Sequence, residues 1–301
     1  MTIAPAPGRH GGDGARLAAA LGIGVDDVLD LSASMNPVAP DPSPVVARHV
    51  DAIGRYPDPA RATAALADAM DVEPATVLLT NGGAEAIALV AAESGGHVVP
   101  PEFGLYDRHL DGSRRLRGGR WRSNPHNPSG VLADPSDAAA VWDEAFWPLA
   151  TGTWTRGDAR DGAIIVGSLT KLLACPGLRV GYVHAADGNL IDRLRWRQPQ
   201  WSVNGLAASA LPELLAGVDL AGWAKQVADL RTDLAALLRD AGFAPRPSDA
   251  NWLLVDGPDL RERLAAHAIC VRDCASFGLG GVVRIAVPNA DGLARLERAL
   301  S

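Results

Sequence analysis

The 301-residue chain holds only three cysteines, Cys175, Cys270 and Cys274. Their number is odd and their spacing makes no metal-ligand set, so they read as small buried hydrophobes in a reducing cytoplasm. No apolar run approaches the roughly 20 residues that a membrane helix needs. Residues 1–14 lack the charged-then-apolar pattern of a secretory signal. Long basic runs are missing, and the net charge is −7. That balance argues against nucleic acid as a partner. Internal repeats and low-complexity segments are lacking too. What is left is an ordinary globular composition, 48% apolar and 21% charged. The length suffices for one large domain or two moderate ones.

One stretch organises the rest. Residues 163–166 are a short apolar run that reads as a buried strand. It delivers Ser168, Thr170 and Lys171 at its end, and Gly177, Leu178 and Arg179 follow before a second apolar run. Lysine is almost never fully buried without a partner. A desolvated amine has a lowered pKa and becomes a nucleophile toward carbonyls. Arg179 can grip a phosphate with its planar fork. Amine plus phosphate grip is what pyridoxal phosphate (PLP) requires. Taken alone, the same residues also read as an ordinary surface Lys and Arg between two strands.

The stretch resembles the cofactor-lysine motif of the fold-type I aminotransferases, in particular the branch of histidinol-phosphate aminotransferase and threonine-phosphate decarboxylase. The resemblance implies that Lys171 is the Schiff-base residue and that Ser168 and Arg179 bind the cofactor phosphate. Other segments follow in the family's order. Thr80-Asn81-Gly82-Gly83-Ala84-Glu85, between an expected strand at 77–79 and a helix at 86–93, is similar to "GNGATE". Gly83 and Ala84 would offer backbone N–H groups to phosphate at a helix start, although the family usually has Ser or Thr where Ala84 stands. Asn124-Pro125-His126-Asn127-Pro128-Ser129-Gly130 resembles "NPNNPTG", which gives Asn127 to the cofactor's ring hydroxyl and lets His126 face the substrate. Asp143-Glu144-Ala145-Phe146 matches "DEAF", which pairs Asp143 with the pyridine nitrogen. Phe103 or Tyr106 would stack on the ring.

Further resemblances concern the substrate and the assembly. His10-Gly11-Gly12 is similar to a His-Gly-Gly on the N-terminal arm of the decarboxylase branch. Ser34-Met35-Asn36-Pro37 resembles "SANINPLGP", which brings Asn36 near the substrate. Tyr56, in Arg55-Tyr56-Pro57, corresponds to a tyrosine that reaches the neighbouring subunit's cofactor phosphate, so a homodimer is expected. Gln198-Pro199-Gln200-Trp201-Ser202-Val203-Asn204 is nearly "QPPWSVNALA". Arg284, inside an apolar run at 282–287, needs an anion, and the resemblance makes that the substrate carboxylate. Arg108, Arg114, Arg115, Arg117, Arg120 and Arg122 form a basic loop, either solvated or used by a phosphorylated substrate. The spans 106–124 and 130–143 are shorter than the family's usual pattern.

The expected fold is therefore α/β. A large PLP-binding domain at 37–192 has a mostly parallel sheet flanked by helices. A smaller α+β domain occupies 193–301, and residues 1–36 form an arm that joins it. The implied activity is that of a PLP-dependent lyase or transaminase on a small amino substrate, possibly phosphorylated. Phe146, His10 and the Trp201-Ser202-Val203-Asn204 segment lean toward threonine-phosphate decarboxylation, as in cobalamin biosynthesis. Histidinol-phosphate-type transamination or a degenerate PLP-binding protein is the alternative.

Overall fold

A computed structural model describes residues 4–110 and 118–301. In chain order it runs α1 (Gly14–Leu21), β1 (Leu29–Leu31), α2 (Ser43–Arg48), α3 (Ala60–Met70), β2 (Val77–Asn81), α4 (Gly82–Ser94) and α5 (Leu105–His109). There follow β3 (Trp121–Ser123), β4 (Val141–Asp143), α6 (Trp147–Thr151), β5 (Ile164–Ser168), α7 (Leu169–Leu172), β6 (Val180–His184), α8 (Gly188–Arg197) and α9 (Gly205–Ala216). The last third comprises α10 (Leu220–Asp240), β7 (Trp252–Asp256), α11 (Leu260–Ala265), β8 (Ile269–Asp273), β9 (Val282–Ala286) and α12 (Ala290–Leu300).

Two sheets carry the fold. The first has the order β2-β6-β5-β4-β3, and only β6 runs against the others. This is the expected mostly parallel sheet. Its strands are apolar on both faces because successive side chains point to opposite sides and both sides are covered. Val77, Leu79, Trp142, Ile165 and Tyr182 face a core closed by α3 and α9. Leu78, Val141, Ile164, Val166 and Val183 face a second core closed by α4 and α8.

The second sheet has the order β1-β8-β9-β7. One face, with Leu253, Val255, Ile269, Val271, Val283 and Ile285, packs with α10, α11 and α12. Period-two alternation sends Arg272 and Arg284 to the opposite face. The two are direct partners across the antiparallel β8–β9 ladder. That face looks toward the ends of β4 and β5 in the first sheet, and the cavity described below lies between.

Helix α10 links the cores: Leu220 and Trp223 pack in the first, Leu234 and Leu238 in the third. Helix α9 belongs to the first core through Ala207, Leu211 and Leu215. Its apolar side is buried against α3. Helix α2 is followed by a separate 3-10 turn at Val50–Gly54. His97 makes a single bridge to Arg120. Among the described residues no single helix is long and apolar enough to cross a membrane.

Candidate active site

Strand β5 ends at Ser168 and passes at once into α7, which places Lys171 against a cavity of about 180 Å³. The turn is held from outside. Asn36 N–H donates to the Lys171 carbonyl at 3.0 Å, and its Nδ2 donates to the Leu172 carbonyl at 2.9 Å. Asn36 is buried and does not line the cavity. Its amide fixes the lysine-bearing turn instead.

At one end of the cavity, β2 runs into α4. The first N–H groups of a helix have no intrahelical partner and carry the positive end of its dipole. Gly83 and Ala84 stand there and line the cavity together with Ser168 and Arg179. Gly82 has φ +75°, and a Cβ on it would lie 2.5 Å from an Arg179 guanidinium nitrogen. Glycine is thus what lets Arg179 reach the helix start. The Asn81 N–H is satisfied by Glu85 at 2.7 Å. Ser168 Oγ lies 2.8 Å from Thr170 Oγ1. This corner is an anion cradle.

At the other end, Asp143 closes β4. Burial holds its carboxyl above the usual range, opposed by hydrogen bonds from the Tyr106 hydroxyl at 2.7 Å and the Ala145 N–H at 3.0 Å. A cation set against it there would favour its charged form. Phe103 and Tyr106 both line the cavity, and Tyr106 has its hydroxyl committed to Asp143. His10, half-buried on the N-terminal arm, packs edge-on against Phe103 with centroids 5.5 Å apart. Burial, then Arg272, Arg9 and Arg108, push its pKa down.

The third wall is cationic. Arg284 stacks over Trp252 and donates to Asn127 Oδ1 at 2.9 Å. Arg272 stacks over Phe277 and donates to the carbonyls of His10 and Arg9, both at 3.0 Å. Each is only 3% exposed. Like charges directly opposite on a sheet are destabilising, and the Nε atoms of both have no partner. The buried Ser34 Oγ, also in the wall, has none either. Among the described residues that line the cavity, Lys171, Arg179, Arg272 and Arg284 are cations and Asp143 is the only carboxylate. Burial and, after it, Arg284, Arg179 and Arg272 lower the Lys171 amine to about 8, with Asp30 opposing.

Of the residues singled out in the sequence, Gly83, Ala84, Asn127, Asp143, Ser168, Lys171, Arg179, Arg284 and His10 therefore meet at one cavity. Tyr56 does not: it is 78% exposed and stacked on Trp201 at 4.4 Å. His126 faces away, bridging Ser129 Oγ at 2.7 Å and the Pro101 carbonyl at 2.8 Å. Arg122 pairs with Asp137, and Arg114, Arg115 and Arg117 lie outside the described residues. Sequence reading missed Arg272. Its signal was an Arg ending an apolar run at 269–271, the same pattern that singled out Arg284. A second overlooked signal is composition: the chain has just two lysines, Lys171 and Lys225.

Comparison with known proteins agrees with this geometry. The family model for aminotransferase class I and II matches residues 121–300. The threonine-phosphate decarboxylase of Salmonella typhimurium is 32% identical, over 97% of this chain and 95% of that one. That alignment runs over 357 residues against the 301 of this chain, so the relative carries segments that this chain lacks. A histidinol-phosphate aminotransferase of Halorubrum lacusprofundi is 27% identical over 93% of this chain and 91% of its own length. The structure of a histidinol-phosphate aminotransferase from Sinorhizobium meliloti, in complex with pyridoxal-5'-phosphate, superposes with a TM-score of 0.78 at 18% identity. It covers 94% of this chain and 92% of that one. The chain belongs to the aminotransferase class I and II family, whose fold-type I members are PLP-dependent enzymes.

Pyridoxal 5'-phosphate fits the groups present: an amine of lowered pKa, an anion cradle at a helix start, a buried carboxylate opposite, and wall donors without partners. Attachment needs the neutral amine, so the pH dependence follows from the Lys171 shift. Below about 8 the amine is protonated, and above it is free. The rate of PLP uptake by cofactor-free protein is expected to rise about tenfold per pH unit up to pH ~8 and then level off. In Arg284→Gln the midpoint moves upward, because a cation that disfavours the ammonium is gone. Stopped-flow absorbance checks both. A midpoint near 10 in the wild type would contradict the desolvated amine.

Proposed function

We propose that this is a PLP-dependent enzyme acting on an amino acid that carries a second anionic group, most closely a threonine-phosphate decarboxylase of cytoplasmic cobalamin biosynthesis. The observation that carries the reading is the opposed pair Arg272 and Arg284. Charge accounting supports it. Arg179, Ser168 and the N–H groups of Gly83 and Ala84 would hold the cofactor phosphate. Two buried guanidiniums are then left for the substrate, one for a carboxylate and one for a phosphate. His10 and the unpartnered Ser34 Oγ add donors to the same wall.

PLP, when bound, supplies an electron sink that weakens the bonds at the substrate Cα. The chain's own residues do the rest. Lys171 holds the cofactor covalently, and its amine is the group able to return a proton at Cα. Asp143 keeps the ring nitrogen protonated, with the Tyr106 hydroxyl steadying the carboxylate. Asn127 bonds the ring hydroxyl while its Oδ1 orients Arg284. Decarboxylation is favoured by the 32% identity to the Salmonella decarboxylase across 97% of the chain. Transamination uses the same residues and stays the second reading, favoured by relatives such as the Halorubrum aminotransferase.

Titration of the cofactor's visible band is expected to show O-phosphothreonine binding at concentrations where threonine does not, with the gap narrowing at high salt. Arg272→Ala should weaken that binding roughly 10- to 150-fold, about 1.5–3 kcal/mol. Released CO2 and aminopropanol phosphate identify the lyase; an oxo acid and a transferred amine identify the transaminase. Equal affinity for the two ligands would contradict a phosphate-bearing substrate.

The working unit we propose is a homodimer. Tyr56 stands outside its own chain's cavity beside exposed Val50, Ile53 and Trp201, an apolar surface suited to a second copy. Sedimentation should give twice the 31.3 kDa chain mass. A monomer that takes up PLP normally would rule the dimer out.

A further inference from the structure

Glu102 lies beside the cavity in a connection that the reaction as described leaves unused. Its carboxylate accepts two hydrogen bonds from one residue, Ser123: from the backbone N–H at 3.1 Å and from Oγ at 2.5 Å. Ser123 is 4% exposed, lines the cavity, and is the register partner of Asp143 across β3 and β4. Its Oγ accepts the Asn127 N–H at 2.8 Å. Ser123 thus links Glu102 to Asn127 by hydrogen bonds and stands beside Asp143 in the sheet. Phe103, the next residue, lines the cavity as well. The same connection is tied a second time, through His126 to the Pro101 carbonyl.

We propose that Glu102 is a positioning residue of this active site, which through Ser123 fixes the loop bearing Asn127 and decides whether the Ser123 hydroxyl donates into the cavity. The inference rests on PLP being the cofactor held there. The hydrogen-bond count explains how it works. An ionised Glu102 can only accept, so the Ser123 O–H donates to it and Oγ is left as an acceptor for other donors. A protonated Glu102 donates to Oγ, and the Ser123 O–H turns toward the cavity instead. One proton, exchanged with solvent at Glu102, reverses the polarity of a wall hydroxyl.

The surroundings favour a switch at working pH. Burial, with the Asp143 charge adding to it, raises the Glu102 carboxyl to about 7 against the bonds from Ser123 and Phe103. The titratable groups that face it are Asp143 on β4 and Tyr106 on α5. Arg122, next to Ser123 on β3, is taken up by Asp137.

The test is a pH titration, from 5.5 to 9, of the visible absorbance of the PLP-loaded protein, paired with the pH profile of kcat/KM. Wild type should show a transition near 7, separate from the Lys171-linked change. In Glu102→Gln the amide donates to Oγ at every pH, so the transition disappears and the acid-side spectrum persists through pH 8. Ser123→Ala keeps the carboxylate but breaks the link, and should lose the same transition. Glu102→Ala should lower kcat/KM about tenfold, as loss of an outer support does. A transition near 7 that survives in both Glu102→Gln and Ser123→Ala, or is absent from wild type, overturns the proposal while leaving PLP binding intact. Protein that takes up no PLP overturns this inference together with the proposed function.

Discussion

Positive charge crowded around a buried amine is the constraint on which this structure depends. Lys171, Arg179, Arg272 and Arg284 share one cavity with a single carboxylate. Desolvating even one cation is costly unless it is paired. Here two guanidiniums also oppose each other across a β-ladder. The chain offsets part of that cost with aromatic faces at Trp252 and Phe277 and with carbonyl acceptors on the N-terminal arm. The rest is left for anionic ligands. Burial first, and the same crowding after it, lower the Lys171 pKa.

The fold supplies this cavity mostly from regular elements, although Ala174 and Arg179 hold left-handed backbone at φ +48° and +56°. A sheet covered on both faces ends β4 at Asp143, opposite Val166, and β5 two residues further on at Ser168. A second sheet turns the face that carries Arg272 and Arg284 toward those ends. Helix α10 joins the two cores, and the arm from residue 8 to 13 is pinned to Ser32 and Arg272. Most functional side chains therefore stand at or near the end of a regular element, and Arg284 stands in the middle of β9.

Much of the site was legible in the sequence because its parts are local. A Gly pair before a helix, two Asn-Pro turns, and a lysine just after an apolar run each declare themselves within ten residues. Arg284 was legible for a related reason, as a charge inside an apolar strand. Arg272 carries the same mark but escaped, since its meaning comes from facing Arg284 in a ladder, a pairing between residues 12 apart with a turn between. Glu102 was invisible because its partner Ser123 lies 21 residues away. Helix α8 was overlooked for its polar, Arg-rich surface; only Leu190, Ile191 and Leu194 are buried. Asn36 was found in the right neighbourhood, while its bonds to the lysine turn needed coordinates.

The central claim is that the Lys171 amine is where the cofactor attaches. The chain makes this simple to test, since the one other lysine, Lys225, is exposed on α10 and paired with Asp229 at 2.7 Å. Borohydride reduction of the PLP-loaded protein, followed by peptide mapping, should place the reduced pyridoxyl group on the peptide containing Lys171, and Lys171→Ala should carry none. A label confined to Lys225, or retained in Lys171→Ala, would contradict the account.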